Sequence, residues 1–145
     1  MLPRWHIVFG LVFSVVVWIL FMKTEWYFIA LVFLSSFLID FDHYVSSALI
    51  SGRVISLGES LRYHEKRNRQ DESEKKRGIR RKSDFHLFHT LEFHIFVFIL
   101  GFLWIGFFYI FIGMLFHSIL DIISLIYGGN LYMREFLFLN WIRRL

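Results

Sequence analysis

The sequence predicts an all-α membrane protein, a bundle of about four transmembrane helices with short interfacial helices and with both termini cytoplasmic. Three observations predict it. The chain is 57% hydrophobic and 21% aromatic, whereas an ordinary soluble domain is about 45–50% apolar. Its apolar residues fall in long runs, giving a mean hydropathy of +0.54. Eleven of the 16 Lys and Arg residues lie in one stretch between the second and third runs.

The first run, Ile7 to Met22, belongs to a span at about 5–23, and the second, from Trp26, to a span at about 26–41. Both are near the roughly 20 residues that cross a hydrocarbon core. Trp5, Trp26 and Tyr27 sit at run ends, where amphipathic rings favour the interface. No small-x-small cleavage site follows Met22, so the first run reads as a retained helix hairpinned to the second. Tyr44 to Leu57 is too polar for a span and reads as a short interfacial helix. Residues 59–84 carry charge with no apolar period and read as a solvated, partly disordered cytoplasmic loop. The run from Phe85 to Tyr127 is long enough for two spans, at about 85–104 and 107–127, with Gly101 and Gly106 bracketing the turn. Gly128-Gly129-Asn130 stops the last helix. Residues 131–145 mix Arg134, Arg143, Arg144 and Trp141 with Phe and Leu, as an interfacial amphipathic tail does.

Charge sets the expected orientation. With four spans and both termini inside, the inner side carries Arg4, eleven Lys or Arg from Arg53 to Lys82, and three in the tail, against Lys23 outside. This is a strong positive-inside bias. The same bias accounts for the net charge of +4 without a specific nucleic acid. The expected partners are membrane lipids, with anionic headgroups at the basic loop. A bundle of this size is compatible with a monomer or a homo-oligomer.

Ionisable groups inside spans are costly and call for a functional or pairing explanation. Asp40, Asp42 and His43 end the second span; His86, His89, Glu92 and His94 begin the third; His117 and Asp121 lie in the inner half of the fourth. Three segments therefore deliver polar side chains to one depth. His117 and Asp121 are i, i+4, and His86, His89 and Glu92 form an i, i+3, i+6 stripe, so each set shares a helix face. Carboxylates and imidazoles at such spacings are what metal sites in helical bundles use. With no cysteine, any metal must take N and O ligands, which suits zinc, manganese, iron or magnesium. His6 and His64 read as interfacial hydrogen-bonding residues.

Leu38-Ile39-Asp40-Phe41-Asp42-His43, a His-rich start to the next span and Gly113-Met114-Leu115-Phe116-His117-Ser118-Ile119-Leu120-Asp121 occur in one order. In this order the chain resembles the bacterial and archaeal inner-membrane metal-dependent hydrolases, a family with one member described as LexA-binding. The likeness covers roughly residues 35–121. Its middle element departs from the family's His-Arg-Gly-x-Thr-His-Ser, reading Asp84-Phe85-His86-Leu87-Phe88-His89-Thr90-Leu91-Glu92-Phe93-His94, and leaves open which of His86, His89 and His94 are ligands. The resemblance implies a hydrolase of the cell (inner) membrane with its active face cytoplasmic, holding one or two divalent ions, zinc before manganese, iron or magnesium. Asp42, His43, His89, His94, His117 and Asp121 are the expected metal ligands. Glu92 is the expected general base, with Asp40 a further catalytic or ligand group. The expected substrate is an ester or phosphoester of a lipid or lipid-linked molecule. The alternative is a non-enzymatic membrane scaffold with a structural metal or polar cluster. A b-type haem held by His89 or His94 with His117 fits poorly beside the carboxylates, and a transporter lacks an internal repeat.

Overall fold

A computed structural model describes residues 3–80, 82 and 84–143, with the side chains of residues 3 and 4 left aside. Among these residues the chain is helical and contains no strand. The helices are α1 (Pro3–Leu20), α2 (Trp26–Leu38), α3 (Phe41–Ser51), α4 (Leu57–Lys76), α5 (Leu91–Leu100), α6 (Gly106–Tyr127) and α7 (Phe138–Ile142), with 3-10 turns at Leu87–His89 and Leu131–Met133. Two helical stretches, Trp26–Ser51 and Gly106–Tyr127, are long and apolar enough to cross a membrane. At 1.5 Å per residue α6 is about 33 Å long, against a core of about 30 Å.

The contacts between α2 and α6 order the rest. Phe28 stacks on Tyr109 at 4.6 Å, a Cβ on Gly113 would collide with the Val32 carbonyl and the Ser35 hydroxyl, and His117 meets the Ser36 carbonyl. Each pair advances by four residues on both helices, so α2 and α6 run parallel and in register. Small residues let the two backbones approach closely, as they do wherever helices pack without bulky side chains between them. Gly10 and Ser36 form a second close approach, which holds α1 antiparallel to α2. α5 lies antiparallel to α6, with Phe98 packed on Phe108 and Phe111. The small apolar core is Ile39, Val97 and Met114.

Burial is inverted relative to a water-soluble domain. Buried polar and charged residues, among them His6, Ser36, Asp42, His89, Thr90, His94, His117 and Asp121, outnumber the buried hydrophobic ones, whereas large apolar side chains are exposed along α1, α5 and α6. Apolar faces of that extent call for an apolar or protein partner rather than water.

Three expected elements differ. Residues 59–76, expected within a solvated and partly disordered loop, are helical: Leu57–Lys76 is a 20-residue helix. Ser56 and Glu59 form a reciprocal capping box at its start, and Arg69–Glu65 and Gln70–Glu74 pair at i, i+4 along it. Tyr63 and Arg67 fasten it to Asp84 at 2.8 and 3.4 Å. Capping and side-chain pairs thus supply what an apolar period does not. The expected span at 85–104 contains only the ten-residue helix α5, about 15 Å long; residues 85–90 are extended or 3-10, because Thr90 caps α5. The tail is not one amphipathic helix but a 3-10 turn, an extended stretch and the five-residue α7. It is folded back by a Leu91 N–H to Phe136 carbonyl bond of 2.9 Å and by Trp141 stacked on Phe85 at 4.2 Å.

Gly113→Ala should lower thermal stability in detergent by about 1–3 kcal/mol, the usual cost of overpacking. Gly58→Ala, with only the Ser56 hydroxyl at 4.0 Å, should leave stability unchanged or raise it by up to about 1 kcal/mol. The capping hydrogen bonds and Arg53 pull the Glu59 carboxyl down to about 2. A depressed carboxyl supports the fold above its ordinary range and loses that support as pH falls toward 2. Site-resolved titration should therefore place Glu59 near 2, and Ser56→Ala should move it upward.

Candidate metal centre

The in-register pairing of α2 with α6 carries on past the end of α2. One step beyond Ser36 and His117 lie Asp40, in the turn between α2 and α3, and Asp121. α1, running antiparallel, brings its N-terminal His6 to the same level. The 3-10 turn before α5 brings His89 there from the fourth side.

Three overlapping groups result, in each of which one ligand atom per residue lies within 4.8 Å of the others: His6–Asp40–His117, Asp40–His43–His89 and His89–His117–Asp121. His89 Nε2 and His117 Nε2 are 3.2 Å apart. Asp121 Oδ2 is 3.8 Å from the former and 3.5 Å from the latter, and Asp40 Oδ1 is 4.0 and 3.5 Å from them. Four donors around a zinc ion with bonds of about 2.0–2.2 Å would stand some 3.3–3.6 Å apart, so these edges are near those of a metal shell.

Tautomers favour the same reading. The Ser36 carbonyl, 2.8 Å from His117 Nδ1, can only accept, so that nitrogen carries the proton. Asp42 Oδ2, 3.4 Å from His89 Nδ1, likewise takes that N–H. In the neutral rings both Nε2 atoms are then bare, and their lone pairs face each other beside two carboxylates. A cation between them removes that repulsion. An imidazole whose far N–H is held by a carboxylate or carbonyl is the usual form of a ligating histidine. The buried His and Asp groups could therefore hold a metal ion, and the donor set fits one of borderline or hard character.

The expected site residues divide. Asp40, His43, His89, His117 and Asp121 are brought together. Asp42 is not among the converging donors. It accepts from the Phe88 N–H at 2.5 Å and from His89, so it caps the 3-10 turn and orients the His89 ring. His94 is also withdrawn: its Nδ1 lies 2.9 Å from the Thr90 carbonyl and its Nε2 3.0 Å from the Ser118 hydroxyl. Glu92, the expected base, is on the outer side of α5, where it accepts from the N–H groups of Phe138 and Leu139 at 3.0 and 3.4 Å and caps α7. The i, i+6 stripe that pointed to it requires a continuous helix from residue 86, and α5 begins at Leu91.

His6 was read as an interfacial residue; instead it is 1% exposed. Its Nδ1 meets His117 Nδ1 at 2.6 Å and its Nε2 lies 3.3 Å from Asp121 Oδ1. Arg134, 3.4 Å from Asp121 Oδ2, was likewise not singled out. The signal for His6 was present: an antiparallel α1–α2 hairpin puts the start of one helix beside the end of the other.

The fold and the cluster define an all-helical protein with two membrane-length helices and a buried His/Asp centre suited to a metal ion. No family model matches the chain, and no curated protein or solved structure matches it significantly.

Elemental analysis of the purified protein should find a stoichiometric divalent metal that His117→Ala and Asp121→Ala lose. Asp42→Asn should retain metal with affinity lowered about 10–100-fold, the usual effect of removing an orienting partner. His94→Ala should leave metal content unchanged. Loss of metal in His94→Ala, or full affinity in Asp42→Asn, would contradict this division of roles.

Proposed function

We propose that the protein is a metal-dependent integral membrane hydrolase. It acts at the cytoplasmic membrane interface on an ester or phosphoester of a lipid or lipid-linked substrate. The observation that carries this reading is the pair of Nε2 atoms of His89 and His117, bare in the neutral rings, that face Asp40 and Asp121 in the interior of the bundle. Its support is chemical: a hydrolytic centre needs a Lewis acid, a proton acceptor and access for substrate. The motif resemblance to inner-membrane metal-dependent hydrolases points the same way. We take the bundle as four spans, with the short α5 completing the third through its flanking turns. The 15-to-1 distribution of Lys and Arg, counted from the sequence, sets the cluster on the cytoplasmic side.

In this reading His89, His117 and Asp121 hold an ion, zinc in preference to manganese, iron or magnesium, and Asp40 with His43 offers a place for a second. A divalent ion bound there supplies a Lewis acid and lowers the pKa of water toward about 7. Asp40 replaces Glu92 as the proton acceptor: it borders the cluster and also lines the polar cavity beside it. Arg134, paired with Asp121, stands where negative charge develops. His6 backs His117 and Asp121 and fixes their positions.

A second reading is favoured by one feature. The cluster ties α1, α2, α6 and the tail together, as a structural metal or polar staple in a non-enzymatic scaffold would. The two readings part in a single experiment on metal-loaded protein. The hydrolase should cleave a soluble activated phosphodiester or ester. His89→Ala, His117→Ala and Asp121→Ala should each lower the rate by about a thousandfold or more, and Asp40→Asn should lower kcat by about 10²–10⁴. Glu92→Gln should retain activity. A protein that binds metal and loses thermal stability on chelation, yet cleaves no ester, is the scaffold.

A further inference from the structure

Two compartments of opposite character meet at the cluster. The first is a polar cavity of about 520 Å³ between α4, the end of α6 and the tail. α4 gives it one face: His64, Arg67, Asn68, Asp71, Glu72 and Lys75 all line it, at the i, i+3, i+4, i+7, i+8, i+11 spacing of a single helical stripe. This explains a helix that has no apolar face yet is well capped: its inward surface meets a polar space rather than a core. Asp40 and Asp121 of the cluster line the same cavity, as does Arg134. Arg67 is held on its wall by contacts of its guanidinium nitrogens with Asp84 and Gln70. Lys75 braces the far wall through the Gly128 carbonyl and Asn130.

The second compartment is an apolar groove of about 300 Å³ between α2, α5 and α6. Leu34, Leu38, Phe93 and Met114 are among its walls. Its one polar lining residue, Ser35, spends its hydroxyl on the Leu31 and Val32 carbonyls. Two of its walls belong to the candidate membrane-crossing stretches. The groove also reaches Ile39 and Phe88, and the next residues along the chain are Asp40 and His89. A dry groove, the His/Asp cluster and a polar chamber are thus adjacent, in the order tail, scissile bond and headgroup of an amphiphile.

We propose that the substrate is a phosphate-bearing amphiphile with one alkyl or acyl chain in the groove and its polar head in the cavity; this rests on the hydrolase reading. With a divalent ion offsetting Asp40 and Asp121, the cavity's Arg67, Lys75 and Arg134 balance Asp71, Glu72 and Asp84. The guanidinium groups of Arg67 and Arg134 on the cavity wall then provide donors for a phosphate oxygen. The volume of the groove suits one chain. Hydrolysis consumes one water: its oxygen bonds to phosphorus, and the P–O bond to the leaving alcohol breaks with the electron pair on that alcohol's oxygen. Asp40 takes the water's proton and passes it to the leaving group.

The test is equilibrium binding to the metal-loaded full-length protein in maltoside detergent. The probes are n-dodecylphosphonate, whose P–C bond resists hydrolysis, methylphosphonate and dodecyltrimethylammonium. Dodecylphosphonate should bind at least about tenfold more tightly than methylphosphonate, since several methylenes leave water at roughly 0.8 kcal/mol each. It should also bind more tightly than the ammonium. Leu34→Trp and Leu38→Trp, at positions 41% and 52% exposed and so tolerant of bulk, should erase the chain advantage and leave methylphosphonate binding intact. Arg67→Gln should weaken both phosphonates. Equal affinity for the two phosphonates, equal affinity for the ammonium, or wild-type binding in both tryptophan variants overturns the proposal. Parallel turnover of bis(4-nitrophenyl) phosphate separates the two levels: cleavage without a chain advantage defeats only the amphiphile, and no cleavage defeats the hydrolase.

Discussion

The structure depends on the parallel, in-register contact of α2 with α6. Gly113 admits the Val32 backbone, and four residues later the same register sets the Ser36 carbonyl against His117 Nδ1. Close approach and ligand orientation are therefore one constraint. A side chain at Gly113 would not only cost packing energy; it would also move His117 off the carbonyl that fixes its tautomer. In a bundle with few buried apolar residues, such backbone-to-backbone fit carries much of the specificity that a core of large side chains carries in soluble proteins.

The interior is made polar at a price set by hydrogen bonding. A buried imidazole or carboxylate is tolerable when each polar atom has a partner, and here the partners come from outside the cluster: Ser36 for His117, Asp42 for His89, Arg134 for Asp121. These second contacts all direct lone pairs inward. The arrangement is unfavourable without a cation and favourable with one. A metal ion held there would couple stability to metal affinity.

The charged block and the tail, which look like accessory segments, wall the polar side of the centre. α4 is fastened by Tyr63 and Arg67 to Asp84 and by Lys75 to the end of α6. The tail is fastened by Glu92 to α7 and by Arg134 to Asp121. Glu92 thus holds the tail against α5 through the Phe138 and Leu139 N–H groups. Basic residues of this block, Arg67 and Lys75, also shape a chamber by position.

Composition and local periodicity by themselves determined the helical class, the approximate positions of α1, α2 and α6, and the gathering of His and Asp at one end of the helices. Hydropathy runs and i, i+4 spacing are local quantities, and Asp40, His43, His89, His117 and Asp121 could be picked out from them. Which of those groups touch could not. Whether residue 86 or residue 91 begins α5 changes every side-chain direction between them; the start at Leu91 turned Glu92 outward, and Asp42's bond to the Phe88 N–H made it an orienting group. The recruitment of His6, the retirement of His94 to Ser118 and the folding of α4 over the centre all rest on contacts between segments tens of residues apart. Such contacts are settled by backbone approach and mutual hydrogen bonding, which no single segment contains.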